Sequence, residues 1–171
     1  MRSKVFVLGL TLALAPALPA AAQSTPPGYT AQDQAQQAKL EAGVGTWNCV
    51  DTPASKSPDV VTIKHVGNWY VGQETGDDPG TWYMRWSHTY QNYFANEIDD
   101  SGSAELTITT SPDPYNATWT FVFPVTSAAS KQNFPLQPYT MKLVGNTMTT
   151  TGQFYDPAGK LENFSQVCTK T

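Results

Sequence analysis

From residue 43 onward, apolar and polar residues alternate in short runs broken by turn chemistry, the period-two pattern of half-buried strands. The runs predict ten strands, at 45–51, 59–66, 68–74, 81–87, 90–98, 104–110, 116–123, 138–144, 147–154 and 160–169. Gly67-Asn68 and Gly145-Asn146 each fall between two runs and predict two-residue hairpins. Asp77-Asp78-Pro79-Gly80, Asp99-Asp100-Ser101-Gly102 and Asp156-Pro157-Ala158-Gly159 predict longer turns, with glycine available for positive φ. No connection has the composition of a crossover helix, so sequence neighbours should pair antiparallel. The long irregular connection is 124–137. Ahead of the strands, 30–42 is rich in helix formers, with Thr30 as cap and Gly43 as stop. Its apolar side is thin, with Leu40 the single large residue among alanines. Two placements fit such a helix: over a barrel mouth, or as a solvated spacer.

A meander of about ten strands must hide its edges, and closure does so. The expected fold is all-β, an antiparallel up-and-down closed barrel with a short N-terminal helix. Cys49 lies in the first run and Cys168 in the last, and two cysteines have one intramolecular pairing. A bond between the first and final strands is what a closed sheet allows.

Composition adds compartment and partners. Arg2 and Lys4 precede an apolar run from Val5 to Leu18, and Ala20-Ala21-Ala22 follows as a small-residue cleavage site. Residues 1–22 therefore read as a secretory signal peptide, too short and wrongly flanked for a membrane span. The expected organisation is 1–22 signal peptide, 23–42 leader and short helix, and 43–171 barrel domain. Export to the periplasm or beyond favours a Cys49–Cys168 disulfide. Without Arg2 and Lys4 the chain carries 8 basic and 14 acidic residues, a net charge of −6. With no basic patch, neither nucleic acid nor an anionic membrane is an expected partner, and no stable membrane insertion is expected. Nothing in the sequence sets the oligomeric state.

Alternation also sorts faces within strands. Trp82, Met84, Trp86 and His88 share one side of their run; Thr81, Tyr83, Arg85 and Ser87 share the other. Trp69, Val71 and Gln73 oppose Tyr70 and Glu74, Trp119 and Phe121 oppose Thr118 and Thr120, and Tyr139 and Met141 oppose Thr140 and Lys142. The expected interior is Trp47, Trp69, Trp82, Met84, Trp86, Trp119, Phe121, Tyr139, Met141 and Phe154, with His88 as a polar handle at one end. Such a lining makes either an aromatic ligand cavity or a filled core.

The sequence carries little that resembles reaction machinery. There is no Gly-x-Ser-x-Gly elbow, His-Glu-x-x-His or Cys-x-x-Cys, and no phosphate-cradling glycine loop. Two histidines without spare thiolates do not make a zinc site. The pairs Asp77-Asp78 and Asp99-Asp100 read as turn residues rather than calcium ligands. No catalytic residue, metal or cofactor is expected.

Gly45-Thr46-Trp47-Asn48-Cys49 resembles the glycine–x–tryptophan opening of calycin-type barrels, the group of lipocalins, fatty-acid-binding proteins and nitrobindin-like domains. Over 43–170 the chain is similar to small exported bacterial lipocalin-like domains of unknown function, the matching residues being Gly45, Trp47, Cys49 and Cys168. The resemblance implies a barrel with Trp47 packed at its closed end and room for a cavity. It implies no particular ligand. Haem-binding nitrobindin-like members use a late histidine, whereas this chain has only His65 and His88, so haem is not expected. The leading expectation is an exported barrel that binds a small apolar or aromatic molecule through Trp69, Trp82, Met84, Trp86, His88, Trp119, Phe121, Tyr139 and Met141. The alternatives are a non-catalytic envelope structural or interaction protein with a filled core, and a reaction chamber using His88, Arg85 or Tyr83.

Overall fold

The structure, a computed structural model, describes residues 28–53, 58–76, 79–99, 104–123, 125–126, 133–134, 137–155 and 160–171. The expected signal peptide, residues 77–78, 100–103 and 156–159 of the longer turns, and most of 124–137 lie outside the described residues.

A short helix, α1 (Ala31–Lys39), runs into a 3-10 turn (Leu40–Gly43) and then into β1 (Gly45–Thr52). The wall continues with β2 (Asp59–Val66), β3 (Trp69–Thr75), β4 (Gly80–Ser87), β5 (Asn92–Asp99), β6 (Ala104–Thr109) and β7 (Asn116–Phe121). After a separate two-stranded ribbon of β8 (Val125–Thr126) and β9 (Asn133–Phe134), it resumes with β10 (Tyr139–Val144), β11 (Thr147–Tyr155) and β12 (Leu161–Lys170). The ten wall strands form one closed antiparallel up-and-down barrel, in the order β1-β12-β11-β10-β7-β6-β5-β4-β3-β2. This is the fold the alternation predicts.

Local chemistry sets the joints. Gly67 and Gly145 take φ of +61° and +58° between the paired residues Val66–Trp69 and Val144–Thr147, the positive-φ first position that a two-residue turn gives to glycine. Closure runs from Trp47 opposite Lys170 to Thr52 opposite Ser165. Within it Cys49 and Cys168 are direct partners, their Cα atoms 4.0 Å apart, and they are joined by a disulfide across 119 residues of sequence. The first and last strands are thus sewn together covalently as well as by the ladder.

The two ends of the barrel differ. At the end of the β2–β3, β4–β5, β6–β7 and β10–β11 connections, Leu40, Trp47, Tyr70, Trp86, Tyr93, Tyr115 and Trp119 pack into a closed core. Between the two placements open to the helix, α1 takes the first and covers this mouth. Its cap explains the start: Thr30 Oγ1 accepts from the Asp33 N–H, and the Thr30 N–H donates to Asp33 Oδ2, a reciprocal capping box. No helix among the described residues is long and apolar enough to cross a membrane.

Candidate functional site

The helix closes the barrel floor through side chains that face inward from several strands. The Trp86 N–H donates to Gln37 Oε1 at 2.7 Å, and Gln37 Nε2 donates to the Asn68 carbonyl at 3.1 Å. Tyr93 donates to the Gln36 carbonyl and Tyr115 to that of Leu40, both at 2.9 Å. The Trp47 indole donates to the Gly43 carbonyl at 2.8 Å, while Lys170 Nζ lies 5.1 Å from the centre of its ring. Asp33, 1% exposed, accepts from Trp86 Nε1 at 2.8 Å and lies 2.8 Å from His88 Nδ1. These bonds hold its carboxyl well below the usual carboxylate range, Thr30 first and Trp86 second, against the opposing effect of burial. Burial pushes the phenols of Tyr70, Tyr93 and Tyr115 up, so the floor is held by neutral donors.

Above the floor lies a cavity of about 320 Å³ inside the barrel, lined by residues from every wall strand except β1. Its deeper part is apolar, with Val61, Met84, Ala95, Met141 and Met148. Toward the other end stand the rings of Trp82, Phe121, Tyr139 and Phe164 among Glu74, Glu97, Glu105, Thr107, Thr150 and Gln166. Two glycines let rings lie along the wall: a Cβ on Gly72 would come within 2.0 Å of the Trp82 indole, and one on Gly152 within 2.6 Å of the Phe164 ring. Tyr139 stacks on Trp119 with centroids 6.4 Å apart and meets Phe121 edge-on at 5.7 Å.

The polar groups are placed by register. Glu97 is the direct partner of Glu105 across the β5–β6 ladder, and Trp82 is the partner of Glu97 across β4–β5. Gln166 Nε2 donates to Glu74 Oε1 at 3.0 Å, and Thr107 Oγ1 lies 3.3 Å from the Tyr139 hydroxyl. Burial pushes the Tyr139 phenol up, the Thr107 hydrogen bond opposes this, and the negative field of Glu97 and Glu105 adds to it. Tyr139 is therefore a neutral hydroxyl facing carboxylates.

The structure distributes the residues expected to line a cavity into three places. Trp82, Met84, Phe121, Tyr139 and Met141 line the lumen together. Trp47, Trp86 and Trp119 are buried in the floor, where Trp119 Nε1 donates to the Pro114 carbonyl at 3.0 Å. Phe154 meets Phe164 edge-on beside a separate recess with Asp51 and Asp59. Trp69 is on the outer wall: Tyr70 and Gly72 are the buried members of β3, since Gly72 must face in to clear Trp82. There the Trp69 ring meets Tyr83 and Phe94 edge-on and carries the Arg85 guanidinium 5.0 Å from its centre. His88 has passed the end of β4 into a turn, where its side chain is 45% exposed beside Asp33, outside the lumen. Arg85 and Tyr83 also face outward, so these three polar groups do not converge inside the barrel. The Arg85 guanidinium instead donates to the Tyr29 hydroxyl at 2.6 Å.

Glu74, Glu97, Glu105, Thr107, Thr150, Phe164 and Gln166 reach the lumen without having been singled out from sequence. On β6, Glu105-Leu106-Thr107-Ile108-Thr109, the partly polar set turns inward and the leucine and isoleucine turn out. Alternation displays that choice without making it. The outward set, with Phe94 and Val122, lines a larger depression of about 720 Å³ on the outer wall beside Tyr29, Arg85 and His88.

No protein-family model matches the chain, and the search of curated proteins finds no match.

Proposed function

We propose that this protein is an exported binding module of the calycin type that holds a small apolar or aromatic molecule in the barrel lumen. The observation that carries the reading is the lumen itself: about 320 Å³ of space above a sealed floor, walled by aromatic and thioether side chains with a few placed polar groups. That volume is at the lower end of the range of small-molecule pockets, roughly 300–1,000 Å³. A wall of ten strands is wider than the eight whose side chains just fill the interior, which accounts for the space. The disulfide supports export, because such bonds persist in oxidising compartments. The placement of Trp47 in the floor, under Lys170, supports the calycin-type resemblance and with it an exported bacterial lipocalin-like protein. The outer faces of β10 and β11, with Thr140, Lys142, Thr149 and Thr151, suit water rather than lipid.

Native mass spectrometry of protein purified under non-denaturing conditions from its own host tests this. A co-purifying small molecule released on unfolding is expected, and Ala95→Trp, which places an indole in the lumen wall, should lose it while keeping the β-sheet circular dichroism. Protein that carries no added mass, and whose lumen takes up no small aromatic or apolar compound, overturns the reading in favour of a filled-barrel interaction protein.

A further inference from the structure

We infer a second binding site, independent of the lumen: the depression of about 720 Å³ on the outer wall takes a small organic carboxylate, its anionic group carried on an aromatic or alkyl body. That volume lies within the range of small-molecule pockets, roughly 300–1,000 Å³. The bed is apolar because β5 and β6 turn Phe94, Leu106 and Ile108 outward, although β6 carries Glu105, Thr107 and Thr109 on its other face. An outer wall that meets only water gains nothing from that choice. Register then sets a charge beside the bed: Arg85 is the direct partner of Phe94, and Phe94 of Ile108. A guanidinium, an aromatic ring and an aliphatic side chain thus lie in one row across three strands. The guanidinium is held in advance. Its Nη2 donates to the Tyr29 hydroxyl at 2.6 Å and its Nε to the Trp86 carbonyl at 3.3 Å, and the Tyr29 hydroxyl itself donates to that carbonyl at 2.6 Å. Its central carbon lies 5.7 Å and 5.0 Å from the ring centres of Tyr29 and Trp69. These contacts leave Nη1 without an acceptor among the described residues. The ion pairs among the described residues are His65–Glu41, His88–Asp33 and Lys160–Glu162, so none neutralises Arg85. His88 joins the lining with Nδ1 2.8 Å from the buried Asp33 carboxylate, which leaves Nε2 as the ring nitrogen turned away from that anchor. The described lining holds no aspartate or glutamate. An ammonium compound would meet a fixed guanidinium and no carboxylate, and a neutral apolar one would leave Nη1 unmatched. A carboxylate suits the planar fork, while its apolar body covers Phe94, Leu106 and Ile108.

The test is calorimetric titration of the full exported chain with three probes matched in ring and chain: 3-phenylpropionate, 2-phenylethanol and phenethylammonium. The carboxylate should bind at least about tenfold more tightly than the alcohol, as a charge-assisted contact predicts, and the ammonium most weakly. Arg85→Gln should erase that preference while leaving affinity for the alcohol within about twofold. Because Arg85 also braces Tyr29 and Trp69, Ile108→Glu serves as a second variant: a carboxylate set in the bed should abolish uptake of 3-phenylpropionate. Circular dichroism and thermal midpoint check that both variants fold. Ala95→Trp, which places its indole in the lumen wall, should leave the outer site's affinity within about twofold. Loss of binding in that variant places the carboxylate in the lumen and overturns the inference. Equal or tighter binding of the alcohol or the ammonium overturns it, as does unchanged binding of 3-phenylpropionate in folded Ile108→Glu, or no binding of any probe. A sedimentation coefficient that rises with protein concentration in the parent chain, and not in Ile108→Glu, assigns the depression to a second copy of the chain and overturns it as well. Each of these failures leaves the lumen reading to its own co-purification test.

Discussion

Asp33 does the most at the scale of single residues, since one carboxylate caps the helix and anchors it to Trp86 and His88. Its carboxyl is held below its ordinary value, so its contribution is present in full above the unfolded-state pKa of about 4 and is lost as pH falls through that value toward the folded one. Asp33→Asn should therefore lower the thermal midpoint most at pH 7, with the gap to the parent chain narrowing at pH 2. Melts at the two pH values check this. Tyr115 is a second such point, its hydroxyl donating to the buried Leu40 carbonyl. Tyr115→Phe leaves that acceptor without its donor and should cost about 1–3 kcal/mol in urea denaturation.

Between elements, the deciding contact is Gly72 of β3 under Trp82 of β4, paired across the ladder. The missing Cβ lets the indole lie flat on the wall and so keeps space in the lumen. Gly72→Ala should push the ring toward the cavity, destabilise the barrel by about 1–3 kcal/mol through overpacking, and reduce uptake of lumen ligands. Denaturant midpoints and tryptophan emission read the two effects. The same contact explains why β3 resists a face assignment from its sequence. Trp69 and Val71 are the more apolar pair, yet they face outward and Trp69 is covered there by Tyr83, Phe94 and Arg85. A strand's own residues do not reveal which neighbour needs a glycine.

For the molecule as a whole, stability and enclosure both depend on the joint between β1 and β12. Removing the disulfide as Cys49→Ala with Cys168→Ala frees a loop spanning 119 residues. The chain-entropy model sets an upper figure of roughly 4–5 kcal/mol for a loop of that order. The guanidinium midpoint should fall accordingly while the sheet circular dichroism persists, because the β1–β12 ladder still pairs Trp47 through Thr52 with its partners. An unchanged midpoint would mean that the ladder alone holds the seam. The helix plug acts at the same scale: it turns an open tube into a vessel with a floor, through Gln36, Gln37 and the floor tyrosines and tryptophans.

The ten strands of the wall, their antiparallel order, the two glycine–asparagine hairpins and the closing cysteine pair were legible in the chain, because each is written in local chemistry or in a pairing with one solution; the short β8–β9 ribbon, within the stretch read as irregular, was not. Five of the lumen residues, Trp82, Met84, Phe121, Tyr139 and Met141, were legible for the same reason, since their strands alternate clearly. The inward turn of Glu74, Glu97 and Glu105, the outward turn of Trp69, and the departure of His88 from the strand were decided only in three dimensions. Alternation divides a strand into two faces but carries no label for inside. That label comes from register around a closed wall, where shifting one strand by a single residue exchanges its faces, and from the space each neighbour leaves.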